Sequence, residues 1–354
     1  MKRLTGVLSV VALGLAGCWM PSPSPGAVSY LSGVVAFSAS NVWAVGSTGA
    51  TSAPSDARPL VERFDGHSWQ VAAAPSVSTT AWLSGIAGSS DTDVWAAGTQ
   101  QTGAVTRAWV VRWNGSAWQN VPVPVRWSDS TAITGISEGA DGSVAAVGGN
   151  ATRHRPLVLL RTASGWVQLP DPVLHKGRCA PGQVSINGVS VASAKRVWIS
   201  GNARGKARGN CPVVEEWNGT RWVDHSPPIL YLETTVLGVL AIPSGKVLVS
   251  GYDSTDWSDV GFVAAWNGHR WTRQPTTASN TESEIDYLAV SGDDYWAEGW
   301  DNQAEVFHLV DGVWQEQPVQ NDPEGDSYFS AIAVVDGHAF SVGSNSGKTL
   351  VDMR

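Results

Sequence analysis

The sequence predicts an all-β fold, a seven-bladed β-propeller of four-stranded antiparallel blades. Three recurring features predict it: a short valine-rich segment closed by Gly, an apolar segment about ten residues before it, and a tight turn followed by Trp after it. The 354-residue length would otherwise suggest two or three ordinary domains, but repetition overrides that prior. Apolar residues make up 43% and charged residues 15%, enough to build a large core and too little charge for a disordered chain.

The glycine-closed segment recurs as Val42–Gly46, Val94–Gly98, Val144–Gly148, Val197–Gly201, Val247–Gly251, Tyr295–Gly299 and Phe340–Gly343. Successive glycines lie 44 to 53 residues apart, the period of a propeller blade. These segments read as the second strand, B, of each blade. The preceding element reads apolar, variable, small, apolar, and serves as strand A. Its copies are Leu31–Val34, Leu83–Ile86, Ile133–Ile136, Ile186–Val189, Val236–Val239, Tyr287–Val290 and Phe329–Ile332. A small residue is expected there because the innermost strands crowd around the propeller axis.

Strands C and D follow as a hairpin. Its turns are Asp65-Gly66, Asn114-Gly115, Ser164-Gly165, Asn218-Gly219, Asn267-Gly268 and Asp311-Gly312, types that tolerate the positive φ of tight turns. Strand D then opens on Trp69, Trp118, Trp166, Trp222, Trp271 or Trp314. A flat, bulky side chain at a repeated position fills the wedge between neighbouring sheets, so these tryptophans are expected to pack between blades.

The run Val-Trp-Ala-Val-Gly followed by Trp-Asn-Gly-x-x-Trp resembles the Trp-rich propeller repeats of exported bacterial proteins, loosely grouped with kelch, galactose-oxidase-like and Asp-box propellers. The resemblance covers residues 31–354. It implies the fold. It carries over no catalytic residue, since Asp65-Gly66-His67-Ser68-Trp69 lacks the leading Ser of an Asp-box and the Gly46-type positions lack the kelch double Gly.

The first 17 residues read as a lipoprotein signal peptide: Met1, Lys2 and Arg3, then an apolar Val7–Ala16 too short to span a bilayer. Leu15-Ala16-Gly17-Cys18 resembles the bacterial lipobox, which implies a lipidated Cys18 and a chain anchored on the extracytoplasmic face of a cell membrane. Residues 18–30 then read as a Pro-rich tether, because Pro21, Pro23 and Pro25 remove ladder donors. The rival is that Trp19 and Met20-Pro21 supply the fourth strand that blade seven lacks. Removing residues 1–17 makes the formal charge of −8 more negative by the charges of Lys2 and Arg3, which argues against a nucleic-acid partner.

With Cys18 committed to lipid, Cys179 and Cys211 form an even pair in an exported protein and are expected to be disulfide-bonded. The B-to-C and D-to-A connections, which share one face, are the long and variable ones. Binding usually resides in such loops. Trp82, Trp127, Trp257 and Trp300 lie outside the repeat on that face, with Tyr231 and Arg155, and are the candidate ligand-binding residues. Basic residues including Arg153 and Arg155 gather over blades three and four, and acidic residues such as Asp253 and Asp301 over blades five to seven. Asp322, Glu324 and Asp326 alternate like calcium ligands but no Gly-and-Glu loop follows, so no metal and no cofactor are expected.

No nucleophile elbow, His-x-x-His pair or phosphate-cradling loop occurs in the sequence, so no catalytic residue is assigned. The expectation is a monomeric, non-enzymatic module that binds an extracellular polysaccharide or protein. The alternative is a carbohydrate-active hydrolase or lyase on the same scaffold.

Overall fold

The computed structural model describes residues 18–19, 23, 28–49, 56–173, 179–205, 210–227, 233–242, 244–254, 258–278, 282–319 and 326–354. They form seven four-stranded antiparallel sheets arranged as a β-propeller. β1 (Cys18–Trp19) belongs to the last sheet. Blade one is β2 (Ser29–Ser38), β3 (Asn41–Thr48), β4 (Arg58–Phe64) and β5 (Trp69–Val71). Blade two is β6 (Thr80–Ser90), β7 (Asp93–Thr102), β8 (Val105–Trp113) and β9 (Trp118–Val121). Blade three is β10 (Thr131–Glu138), β11 (Val144–Asn150), β12 (Arg155–Thr162) and β13 (Gly165–Gln168). Blade four is β14 (Cys179–Ser193), β15 (Arg196–Gly205), β16 (Asn210–Trp217) and β17 (Trp222–Asp224). Blade five is β18 (Glu233–Ala241), β19 (Val247–Ser254), β20 (Asp259–Trp266) and β21 (Trp271–Gln274). Blade six is β22 (Glu284–Ser291), β23 (Asp294–Trp300), β24 (Ala304–Val310) and β25 (Val313–Gln317). Blade seven is β26 (Ser327–Val335), β27 (His338–Asn345), β28 (Lys348–Met353) and then β1.

Most of the core is divided into clusters that each lie between two blades. One joins Trp43, Val45 and Val61 of blade one to Leu83, Ile86 and Trp109 of blade two, and the last joins Phe340 and Val342 of blade seven to Leu31 and Val42 of blade one. Strand-D tryptophans stitch these seams, as the repeat predicts. The Trp118 indole N–H donates to the Ala73 carbonyl at 2.9 Å, Trp222 to Pro170 at 2.7 Å, and Trp314 to the Gln274 side-chain oxygen at 2.9 Å.

Every innermost strand carries a bulge at the same level. The unpaired residues are Ser32, Ser84, Thr134, Asn187, Leu237, Asp286 and Ser330. This explains the glycine that closes every strand B. A Cβ on Gly46 would lie 2.0 Å from the Tyr30 carbonyl oxygen, and the same 2.0 Å clash recurs at Gly98, Gly148, Gly201, Gly251, Gly299 and Gly343.

The same register corrects two sequence expectations. In blade six, Ile285 pairs with Gly299 as Leu31 does with Gly46, so the strand-A element is Ile285–Leu288 and not Tyr287–Val290. Tyr287 therefore occupies the small-residue position, and Ala289 only imitates it. At the N-terminus, Cys18 pairs with Met353 and Trp19 with Asp352, making the missing strand D of blade seven instead of the start of a free tether. The Thr349 hydroxyl donates to the Pro23 carbonyl at 2.9 Å and the Ser29 N–H to Gly347 at 2.8 Å, so Pro23 and Ser29 are tied to blade seven as well. Trp19 also stands at the level of Val71, not of Trp69, because Phe340, Met353 and Cys18 align with Trp43, Arg63 and Gln70.

Candidate functional site

The connection from β9 to β10 presents Trp127 with 78% of its surface exposed, the largest exposure of any bulky apolar side chain among the described residues. It is held rigidly all the same. The Arg107 guanidinium on β8 lies 3.8 Å from the centre of the Trp127 ring and donates to the Trp127 carbonyl at 2.7 Å. Such a cation–π stack contributes about 0.5–1 kcal/mol at an exposed site and fixes which ring face is offered to solvent.

Beside Trp127 opens a cleft of about 210 Å³, lined by Val125, Arg126, Asp129, Asn150, Arg153, Arg155, Pro156, Gln168 and Asp171. Asp129 is its organising anion: Arg153 donates to it from two nitrogens, and Asn150 Nδ2 donates at 2.9 Å. Arg153 first, then Asn150, hold the Asp129 carboxyl below its ordinary range. Arg155 donates to Asp171 at 3.0 Å across the cleft mouth. Arg153 and Arg155 of the expected basic half are thus each paired with an aspartate, and Arg126 adds a third guanidinium to the lining. The cleft offers planar donors and backbone edges beside one rigid aromatic ring, chemistry suited to an extended chain with carboxylate or amide groups.

The other candidates are dispersed. Trp82 is half-buried on β6 of blade two, and Trp300 is half-buried at the end of β23 in blade six. Trp257 and Tyr231 lie outside the described residues. So do Asp322 and Glu324; among the described residues no group of three His, Cys, Asp or Glu side chains is placed to hold a metal ion. Cys211 is buried on β16 opposite Ala203, while Cys179 pairs by its backbone with Gly205, two residues along the same β15. Two of the long connections prove to be largely strand: β7 and β8 extend to a tight turn at Gly103, and β15 runs to Gly205.

A second polar constellation lies outside the reach of the local pattern, because blade six imitates the strand-A repeat two residues after its true position. Asp286 fills the bulge position and Glu298, fully buried, stands opposite Tyr287 on β23. Neither Glu298 oxygen, nor Asp286 Oδ1, makes a well-formed hydrogen bond. Burial, reinforced by Glu284, pushes the Asp286 carboxyl up to about 7. Burial and then Asp286 push Glu298 well above the usual range, partly offset by the Ser341 hydroxyl. A misplaced polar residue in an otherwise glycine-and-valine pattern was the available sequence clue.

These features define a seven-bladed β-propeller with an arginine-lined cleft next to an exposed tryptophan on its long-loop face. No protein-family model and no curated protein matches the chain. Among solved structures it is similar to YCF48 bound to D1 peptide, at 13% identity and a TM-score of 0.59 over 95% of this chain and 94% of that one. It is likewise similar to YCF48 from Cyanidioschyzon merolae, at 14% identity and a TM-score of 0.60 over 95% of this chain and 98% of that one. At such identity the likeness establishes the fold.

Proposed function

We propose that the protein is a lipid-anchored, extracytoplasmic binding module that takes an extended segment of a partner protein on its long-loop face. The observation that carries this reading is Trp127: a large aromatic side chain left in water costs hydrophobic free energy, and here an arginine holds it in place. Tryptophan and arginine are the residue types that most often dominate binding energy at interfaces. The solved neighbour bound to a peptide supports the same class of partner for this scaffold.

The anchoring half of the proposal rests on the Leu15-Ala16-Gly17-Cys18 motif. Export also supports a Cys179–Cys211 disulfide: Cys211 is a half-cystine, and both residues pair with β15 within two positions of each other. Closing such a loop contributes about 3–4 kcal/mol in the chain-entropy account.

The test is to immobilise the Cys18→Ser protein and pass over it an array of unstructured peptides and a polysaccharide panel, scoring retention and released sugar. Peptide retention that falls about thirtyfold in Trp127→Ala is expected, as for an interface anchor worth about 2 kcal/mol. Released sugar, or retention indifferent to Trp127, overturns the reading.

A further inference from the structure

The proposed lipid attachment point has a fixed place in the ring. Cys18 is not separated from the propeller by a spacer; it is a ladder residue, opposite Met353 on the outermost strand of blade seven. Two described residues beyond it are also tied to blade seven, Pro23 to Thr349 and Ser29 to Gly347, while Val28 accepts from Gly49 of blade one. Its counterparts on the outer strands of blades one, two and five, Gln70, Gln119 and Thr272, are exposed at the rim. The position is thus an outer-edge one by the geometry of the fold.

In a ring of seven, the blades farthest from blade seven are three and four. The Trp127 cleft is built from the connection into blade three and from β11, β12 and β13 of that blade. From this juxtaposition we infer that the outer edge of blade seven is the surface that meets the lipid bilayer: the propeller stands edge-on, with the Trp127 cleft on the far side of the ring. This rests on the lipidation of Cys18. A diacylated residue with no intervening linker cannot let the domain tumble, because the acyl chains, at about 0.8 kcal/mol per buried methylene, are held within the bilayer while their attachment point is held in the sheet.

The experiment uses the full chain, lipidated in a bacterial host and reconstituted into vesicles whose headgroups carry nitroxide quenchers. A fluorophore is attached at Gln70→Cys, on the outer strand of blade one, or at Ser164→Cys, on the exposed turn of blade three. Quenching at least threefold stronger at position 70 is expected. Inserting ten Gly-Ser residues between Cys18 and Trp19 should abolish the difference while leaving vesicle association intact. Equal quenching of the two uninserted proteins, both vesicle-bound, overturns the edge-on placement alone. Failure of the protein to associate with vesicles overturns the lipidation reading and this inference with it.

Discussion

Tyr287 on β22 stands directly opposite Glu298 on β23, at the level where the other blades pair Gly or Ala with Val, Ala or Ser. The adjoining seams show what those positions do. Ser200 donates to the Leu237 carbonyl of the next blade at 3.0 Å and Ser250 to the Asp286 carbonyl at 3.1 Å, while the bulge residues Thr134 and Asn187 donate to Ile186 and Val236 at 3.2 Å. Blade six places Glu298 and Asp286 at those donor positions. A carboxyl group can donate only while protonated.

The seam between blades six and seven should therefore weaken as pH rises. Glu284, Tyr287, Glu298 and Glu305 are the titratable groups acting on Asp286, and none of them is cationic. A carboxyl whose folded pKa is raised binds its proton more tightly in the native state. Its contribution is complete below the ordinary value near 4 and is lost as pH climbs through about 7. Thermal unfolding should show Tm falling by a few degrees between pH 5 and pH 8. Asp286→Asn keeps a donor at every pH and should flatten that slope; an unchanged slope would assign the effect elsewhere.

Ring closure by β1 has a measurable weight. Deleting residues 18–29 removes the two Cys18–Trp19 pairs and the bonds from Pro23 and Ser29 to blade seven. At about 1 kcal/mol per hydrogen bond the loss is about 3–4 kcal/mol, read as a lower denaturation midpoint. A protein that starts at residue 30 and unfolds at the same midpoint would contradict closure by these residues.

Gly98→Ala should cost more than about 3 kcal/mol, because its Cβ would sit 2.0 Å from the Trp82 carbonyl and the bulge cannot move without shifting the axial ring. Gly149→Ala, with nothing within 4 Å of the added carbon, is the matched control and should stay within about 0.5 kcal/mol of the parent. Comparable losses at both sites would remove the steric account of the repeated glycine.

The indole N–H groups separate stitching from filling. Trp118→Phe deletes the bond to Ala73 and should cost about 1 kcal/mol beyond its lost area. At Trp69 the buried indole nitrogen makes no hydrogen bond, so Trp69→Phe should lose only the smaller packing area. Equal costs in urea titrations would mean that the hydrogen bond to Ala73 adds nothing.

Much of this was legible because it is local. Valine alternation, the Asn-Gly and Asp-Gly turns and the trailing Trp are each set within a few residues, and repetition multiplies the evidence. Blade six is not legible in the same way, because Ala289 supplies a small residue two places after Tyr287 and nothing in the local pattern says which of them takes the position beside the bulge. Trp127 could be singled out as a tryptophan off the repeat, but not the Arg107 beneath it, 20 residues earlier on β8. Nor does the local pattern say that Asp129 and Asp171 reach Arg153 and Arg155 and offset their charge.

The sequence by itself determined the blade count and the four-strand unit, and it carries the lipobox-like motif on which the proposed address rests, since periodicity and motif spacing are properties of neighbouring residues. Tertiary structure alone decided that Cys18 and Trp19 close blade seven, that the strand-B glycines answer a bulge, and that Asp286 and Glu298 share a seam. Those relations join positions up to a whole chain apart, or hang on a one-residue shift in register, and packing around a common axis selects among alternatives that local pattern leaves equal.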